Sequence, residues 1–194
     1  MAVQLMVLGC LFVSLYTTVK SSDDVTQQKR DPDLKEFLRR NSEIWVYEAT
    51  RNQVIQCVVD KEITVRETEA TFKRYYRQET GYPFYNLRGE FTTSKIQNNH
   101  ETQPPFDGMN VYKVDDPSRR FSEEKMLFEG EDGKCGVFLV MEYTNDNTEN
   151  FYDIRYSGDT ISTRKKEDCL TFYETTRAGK TSRRVYYGDC NVSQ

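Results

Sequence analysis

Histidine and tryptophan are almost missing from this chain, which has one of each, His100 and Trp45, in 194 residues. The lone histidine sits in a polar stretch between Asn99 and Glu101. It leaves no partner set for a histidine-rich metal centre and points to no Ser-His or Cys-His nucleophile. There is no Gly-x-Ser-x-Gly elbow. Gly179-Lys180-Thr181 has the ending of a phosphate loop, but Glu174 stands where that loop needs its first glycine. An excess of charge of one sign is lacking too. Twenty-seven Lys and Arg face 31 Asp and Glu, a net −4 with no long block of either, which argues against a nucleic-acid partner. Beyond Tyr16 no run is apolar enough to cross a bilayer. Neither a cofactor nor a metal is called for. A carboxylate pair for glycoside chemistry is the one catalytic option left open, and no two acids are singled out for it.

What is present begins with an apolar run from Val3 to about Tyr16, ending in small and polar residues. It is short for a membrane span and reads as a secretory signal over residues 1–21, although its start lacks Lys and Arg. One domain is expected over 22–194, its ordered part starting near residue 31. Of five cysteines, Cys10 leaves with the signal, and Cys57, Cys135, Cys169 and Cys190 remain. An even number in an exported chain favours two disulfides, with three connectivities open. Asn191-Val192-Ser193 is a sequon at the extreme C-terminus.

Asp31-Pro32 opens what reads as a short helix, capped by Asp31, with Leu34, Phe37 and Leu38 as its apolar stripe. Short strand-like segments then follow one another. In "SEIWVYEAT", Trp45, Tyr47 and Ala49 fall on one face, and "NQVIQCVVDKEIT" completes a hairpin. "ETGYPFYNLRG" is turn-like, and "EFTTSKIQ" is a strand beyond it. About eight strands joined mainly by short turns suggest an antiparallel sandwich or barrel. "CGVFLVM" is apolar on both faces, so something must cover its outside. The segment around Cys169, Phe172, Tyr173 and Thr176 has helical spacing and can do so, with Gly179 at its C-cap.

"NFYDIRYSGD" carries the sharpest functional signal. As a strand it places Phe151, Asp153 and Arg155 on one face and Tyr152, Ile154 and Tyr156 on the other. An acid and a base beside a phenylalanine either meet solvent or line a cavity where charge has a task. A barrel of eight strands has room inside for one small ligand, so a binding protein fits better than an enzyme.

The order of signal, helix, hairpin carrying Cys57, "FTTSKI" at Phe91, "CGVFLV" at Cys135, "YDI" at Tyr152, helix carrying Cys169 and a final cysteine resembles the tick salivary lipocalins, the histamine-binding protein family. The resemblance covers essentially the whole mature chain. It implies an all-β, eight-stranded antiparallel lipocalin-type barrel with a short N-terminal helix and a C-terminal helix, and disulfides Cys57–Cys190 and Cys135–Cys169. It also implies a secreted monomer that binds a small host mediator without catalysis. A histamine-like biogenic amine leads; an anionic lipid such as a fatty acid or leukotriene, or a host defence protein, is the alternative.

Matched residue by residue, "YDIR" supplies Asp153 where the family carries an acid for the amine, while Arg155 replaces a tryptophan. Another acid of histamine binders falls on Ser94, and a third on Gly136, so much of the amine cage is missing or moved. Three readings of the pair follow. Arg155 lies near the mouth and leaves Asp153 to a cationic amine with Phe151 stacked beside it. Or Arg155 grips an anion and Asp153 orients it. Or the two form a structural ion pair near a rim. Trp45 is expected to close the barrel bottom and Tyr47 to line the cavity.

Overall fold

The computed structural model describes residues 31–94, 105–144, 147–161 and 167–192. The expected signal and its cleavage region, His100 and Ser193 lie outside them. The first element, α1 (Leu34–Arg40), buries Leu34, Phe37 and Leu38 as the stripe requires. Its cap is Asp33 rather than Asp31. The Asp33 carboxylate accepts the Glu36 amide at 3.1 Å, satisfying one of the amides that a helix start leaves free. Pro32 therefore precedes the helix.

Eight strands follow: β1 (Ile44–Ala49), β2 (Val59–Val65), β3 (Glu69–Tyr75), β4 (Phe84–Thr92), β5 (Gly108–Lys113), β6 (Asp116–Glu129), β7 (Cys135–Tyr143) and β8 (Thr148–Ser157). Then come α2 (Glu167–Thr176) and the two-residue β9 (Arg183–Arg184). Each strand from β2 to β8 pairs antiparallel with the next, β8 pairs with β1, and β1 returns to β2. The sheet is thus a closed eight-stranded antiparallel barrel with two helices, as expected. β1 meets β2 only at Ile44–Asp60 and Trp45–Val59, then takes β9 as its neighbour.

Two sequence expectations shift. β2 begins at Val59, after Cys57 with its positive φ of 53°, so residues 50–58 form a crossing segment and not a strand. The turn after β3 is tighter than its composition implied. Gln78 bridges Gly81, whose φ of 134° suits only glycine, and β4 already starts at Phe84. Seven registered pairs with β3 draw Phe84–Glu90 into the sheet, outweighing the local turn-like character. A Cβ on Gly89 of β4 would come within 2.6 Å of the Met109 sulfur, so any larger residue there would require the Met109 side chain to move.

Two apolar layers result. Inside, α1 plugs one end of the barrel, with Phe37 at 6.0 Å from Phe138 between ring centres and Met109 and Met126 filling the same layer. Outside, Trp45, Tyr47, Val137, Ile154 and Tyr156 pack against Cys169 and Tyr173 of α2. That layer is the cover that "CGVFLVM" demanded. Cys135–Cys169 ties α2 to β7 with Cα atoms 6.3 Å apart, and Cys57–Cys190 ties the C-terminal segment to the start of β2 at 5.3 Å.

Candidate ligand-binding cavity

The end opposite α1 opens into a cavity of about 570 Å³, within the usual range of small-molecule sites. β8 runs from this mouth toward the plugged end. Its alternation sends Phe151, Asp153 and Arg155 into the cavity wall, while Ile154 and Tyr156 join the outer layer. The acid and base of "NFYDIRYSGD" therefore face inward. Arg155 is the deeper of the two, not the one nearer the mouth. The pair lies at the floor, not at a rim.

Asp153 and Arg155 belong to a larger constellation. Arg155 donates to both Asp153 oxygens, Nε to Oδ1 at 2.9 Å and Nη2 to Oδ2 at 3.0 Å. Its third nitrogen, Nη1, reaches Glu124 Oε2 at 2.6 Å. Arg74 donates to the other Glu124 oxygen at 2.7 Å and grips Asp60 through two bonds of 2.7 Å. Ser122 adds a hydroxyl bond to Glu124 at 3.0 Å. Each guanidinium also lies against a ring, Arg155 at 4.2 Å from the Phe138 centre and Arg74 at 5.4 Å from that of Phe72. The order Asp60–Arg74–Glu124–Arg155–Asp153 thus draws on four strands of the barrel, β2, β3, β6 and β8.

Three carboxylates meet two guanidiniums here, so the ionised network carries one negative charge in excess. Asp60, Glu124, Asp153 and Arg155 are each under 5% exposed, so water does little to screen that excess. The two inner acids respond in opposite ways. Burial alone would push both pKa values up. For Glu124 the charges and hydrogen bonds of Arg155 and Arg74 outweigh burial and hold the carboxyl well below the ordinary range. For Asp153, burial outweighs Arg155, and the nearby Glu124 charge adds to it, so its pKa is raised. The excess charge therefore resides most loosely on Asp153, which also lines the cavity.

Two residues expected in the cavity lie elsewhere. Tyr47 is absent from the wall and instead packs edge-on against Tyr156 in the outer layer, ring centres 5.4 Å apart. The cause is the phase of β1: Trp45 pairs with the outward Tyr156 and Val46 with the inward Arg155, so Tyr47 follows Trp45 to the outer face. A bulge at Tyr47 then resets the pleat, with Val46 opposite Arg155 but Glu48 opposite Ile154, and takes Ala49 off the face of Trp45 and Tyr47. The inward positions become Val46 and Ala49. Ser94 sits beyond β4 beside Asp107, whose carboxylate accepts its amide at 2.8 Å and also its hydroxyl. It lines a separate recess of about 280 Å³, not the Asp153 cavity. Trp45 also faces outward, edge-on to Tyr186 at 5.2 Å, and α1 closes the bottom in its place.

Asp60, Arg74 and Glu124 were not singled out from sequence, although a signal exists. Arg74 shares pleat parity with Ala70 and Phe72, and Glu124 with Ser122 and Met126, all but Arg74 buried. A charge in phase with core residues marks an inward strand position. The signal is ambiguous because β6 alternates charges on both faces.

No family model matches the sequence, and no curated protein does. Solved structures match across most of the chain. AM182 in its serotonin complex aligns with TM-score 0.59 and 13% identity, over 81% of this chain and 91% of that one. The siderocalin Ex-FABP aligns with TM-score 0.53 and 8% identity, over 79% and 95%. The bovine lipocalin allergen Bos d 2 aligns with TM-score 0.52 and 8% identity, over 77% and 93%. At such identities the likeness is one of fold.

Proposed function

Starting from a lipocalin-type barrel, we propose that this protein is a secreted, monomeric, non-catalytic binder that sequesters a small biogenic amine of a host. The observation that carries this reading is the floor of the cavity, where three buried carboxylates share two guanidiniums. An ammonium placed against Asp153 brings the network to neutrality. A carboxylate placed against Arg155 would instead double its excess, in a site where unpaired charge is costly. Asp153 has both oxygens engaged by Arg155, yet a carboxylate offers about four acceptor positions, so two remain for an ammonium. Phe151, two residues nearer the mouth, supplies a ring face for the body of an aromatic amine.

The serotonin bound by the similarly folded AM182 supports an amine in such a barrel. Two disulfides fit an oxidising compartment, and no helix among the described residues is long and apolar enough to cross a membrane.

Calorimetric titration with serotonin, histamine and a leukotriene tests the reading. One or both amines should bind to the wild-type protein. Asp153→Asn should weaken them by at least about tenfold, since losing one partner of a buried charged pair costs about 2–5 kcal/mol. Leukotriene binding with the amines inert would overturn it, and so would amine binding indifferent to Asp153→Asn.

A further inference from the structure

The cavity is electrically two-ended. Outside the floor network its wall carries five cations, Arg51, Arg77, Lys113, Arg119 and Arg120, against two carboxylates, Asp116 and Glu142. All lie toward the open end, on the outer ends of β5 to β7 and in the segments beyond β1 and β3. Three of these cations have unused capacity. Lys113 lies 4.4 Å from the Tyr85 ring centre and 5.5 Å from that of Phe121, and no ion pair joins it to a carboxylate among the described residues. Arg51 gives one nitrogen to Glu142 at 3.0 Å, but its buried Nε has no hydrogen-bond partner. Arg120 is bonded to Glu123, and its buried Nε is likewise without a partner. A buried donor left unmatched is unfavourable. Two such donors and a lysine held only by ring faces form a place where an acceptor of negative charge is missing.

We propose that the ligand is amphoteric: an amine that carries its own acid group at the far end of an apolar spacer, the ammonium at Asp153 and the acid among Arg51, Lys113 and Arg120. This deepens the amine reading and rests on it. The geometry sets the length. Arg51 lies 4.9 Å from the centre of the Phe151 ring, and Phe151 is two residues above Asp153, roughly 7 Å along the strand. A separation of roughly 7–10 Å between the charges therefore fits. That separation excludes an α-amino acid, whose two charges are adjacent. It admits an ω-amino acid, an amine with an acid on a distant ring position, or a short peptide. The spacer would lie along Phe151 and Val140, which line the wall between the two ends.

The test uses three eight-carbon probes of equal spacer: octylamine, octanoate and the ω-amino acid that combines them. The ω-amino acid should bind roughly tenfold more tightly than octylamine, as expected for one added charge-assisted bond at a partly open site. Lys113→Met should remove most of that advantage and should strengthen octylamine binding by deleting a like charge. Asp153→Asn should weaken octylamine and the ω-amino acid together. An ω-amino acid no tighter than octylamine, or an advantage untouched by Lys113→Met, would overturn the inference while leaving the amine reading standing. Binding of octanoate alone, or of no probe, would overturn both.

Discussion

Glu124 is held between Arg74 and Arg155, and through it the floor of the cavity acts as one electrostatic unit. Removing a guanidinium should therefore cost far more than removing an acid. Arg155→Met leaves Asp153 and half of Glu124 unmatched in a buried setting, and should destabilise by about 3–5 kcal/mol. Asp153→Asn makes acids and guanidiniums equal in number and should cost much less. Urea denaturation of the two variants, compared at equal m, measures the contrast. The reverse ranking would show that the network is not short of positive charge. The two acids also have opposite signs in their pH dependence. The pKa of Glu124 is depressed by folding, so its stabilisation is present above the ordinary carboxylate range and fades as pH falls toward its folded value. The pKa of Asp153 is raised, so its contribution is complete below the ordinary range and fades as pH rises through its folded value. A proton and an amine then compete for Asp153. Amine affinity should fall on acidification, and binding on the acid side should release protons. Titration calorimetry in buffers of different ionisation heat reads this directly, and a flat pH profile would count against Asp153 as the contact.

At the scale of elements, each functional position depends on a local device. The single-residue bulge in β1 resets the pleat after Tyr47, so that Ala49 joins Val46 against the ligand space. The cap at Asp33 starts the helix that plugs the closed end. Asp33→Ala should lower stability by about 1 kcal/mol, measured as a shift in the denaturation midpoint. The loss should leave amine affinity nearly unchanged, because α1 packs below the floor network and not against the cavity. α2 acts in the opposite direction, from outside. Its Tyr173 and Cys169 are fully buried against the outer face of β7 and β8, which holds β8 in the phase that sends Asp153 inward.

For the whole molecule, the disulfides govern which parts of the chain are held together without regard to sequence distance. Cys57–Cys190 closes a span of 133 residues and Cys135–Cys169 one of 34. In the chain-entropy model these correspond to about 5 and about 4 kcal/mol. The Cys57→Ser/Cys190→Ser double variant should accordingly be less stable than its Cys135→Ser/Cys169→Ser counterpart by about 1 kcal/mol. Equal stabilities would mean that packing under α2 outweighs the difference in loop length. Peptide mapping without reduction should yield the two linked pairs, and a Cys57–Cys135 peptide would contradict this fold.

The sequence alone determined what depends on neighbours along the chain. Pleat alternation placed Phe151, Asp153 and Arg155 on one face, the apolar run of β7 required an outer cover, and the spacing around Cys169 and Tyr173 indicated the helix that supplies it. These follow from period-two and helical geometry, which hold before any tertiary contact forms. Tertiary structure alone decided the rest. A bulge is an event between two strands, so Ala49 left the face of Trp45 and Tyr47 for a reason that its own segment does not contain. Phe84–Glu90 became strand through pairing with β3, although its composition resembles a turn. The partners of Asp153 and Arg155 lie on β2, β3 and β6, at Asp60, Arg74 and Glu124. Closing the barrel brings these three strands and β8 together, and only then do separate charges become a network with one negative charge to spare.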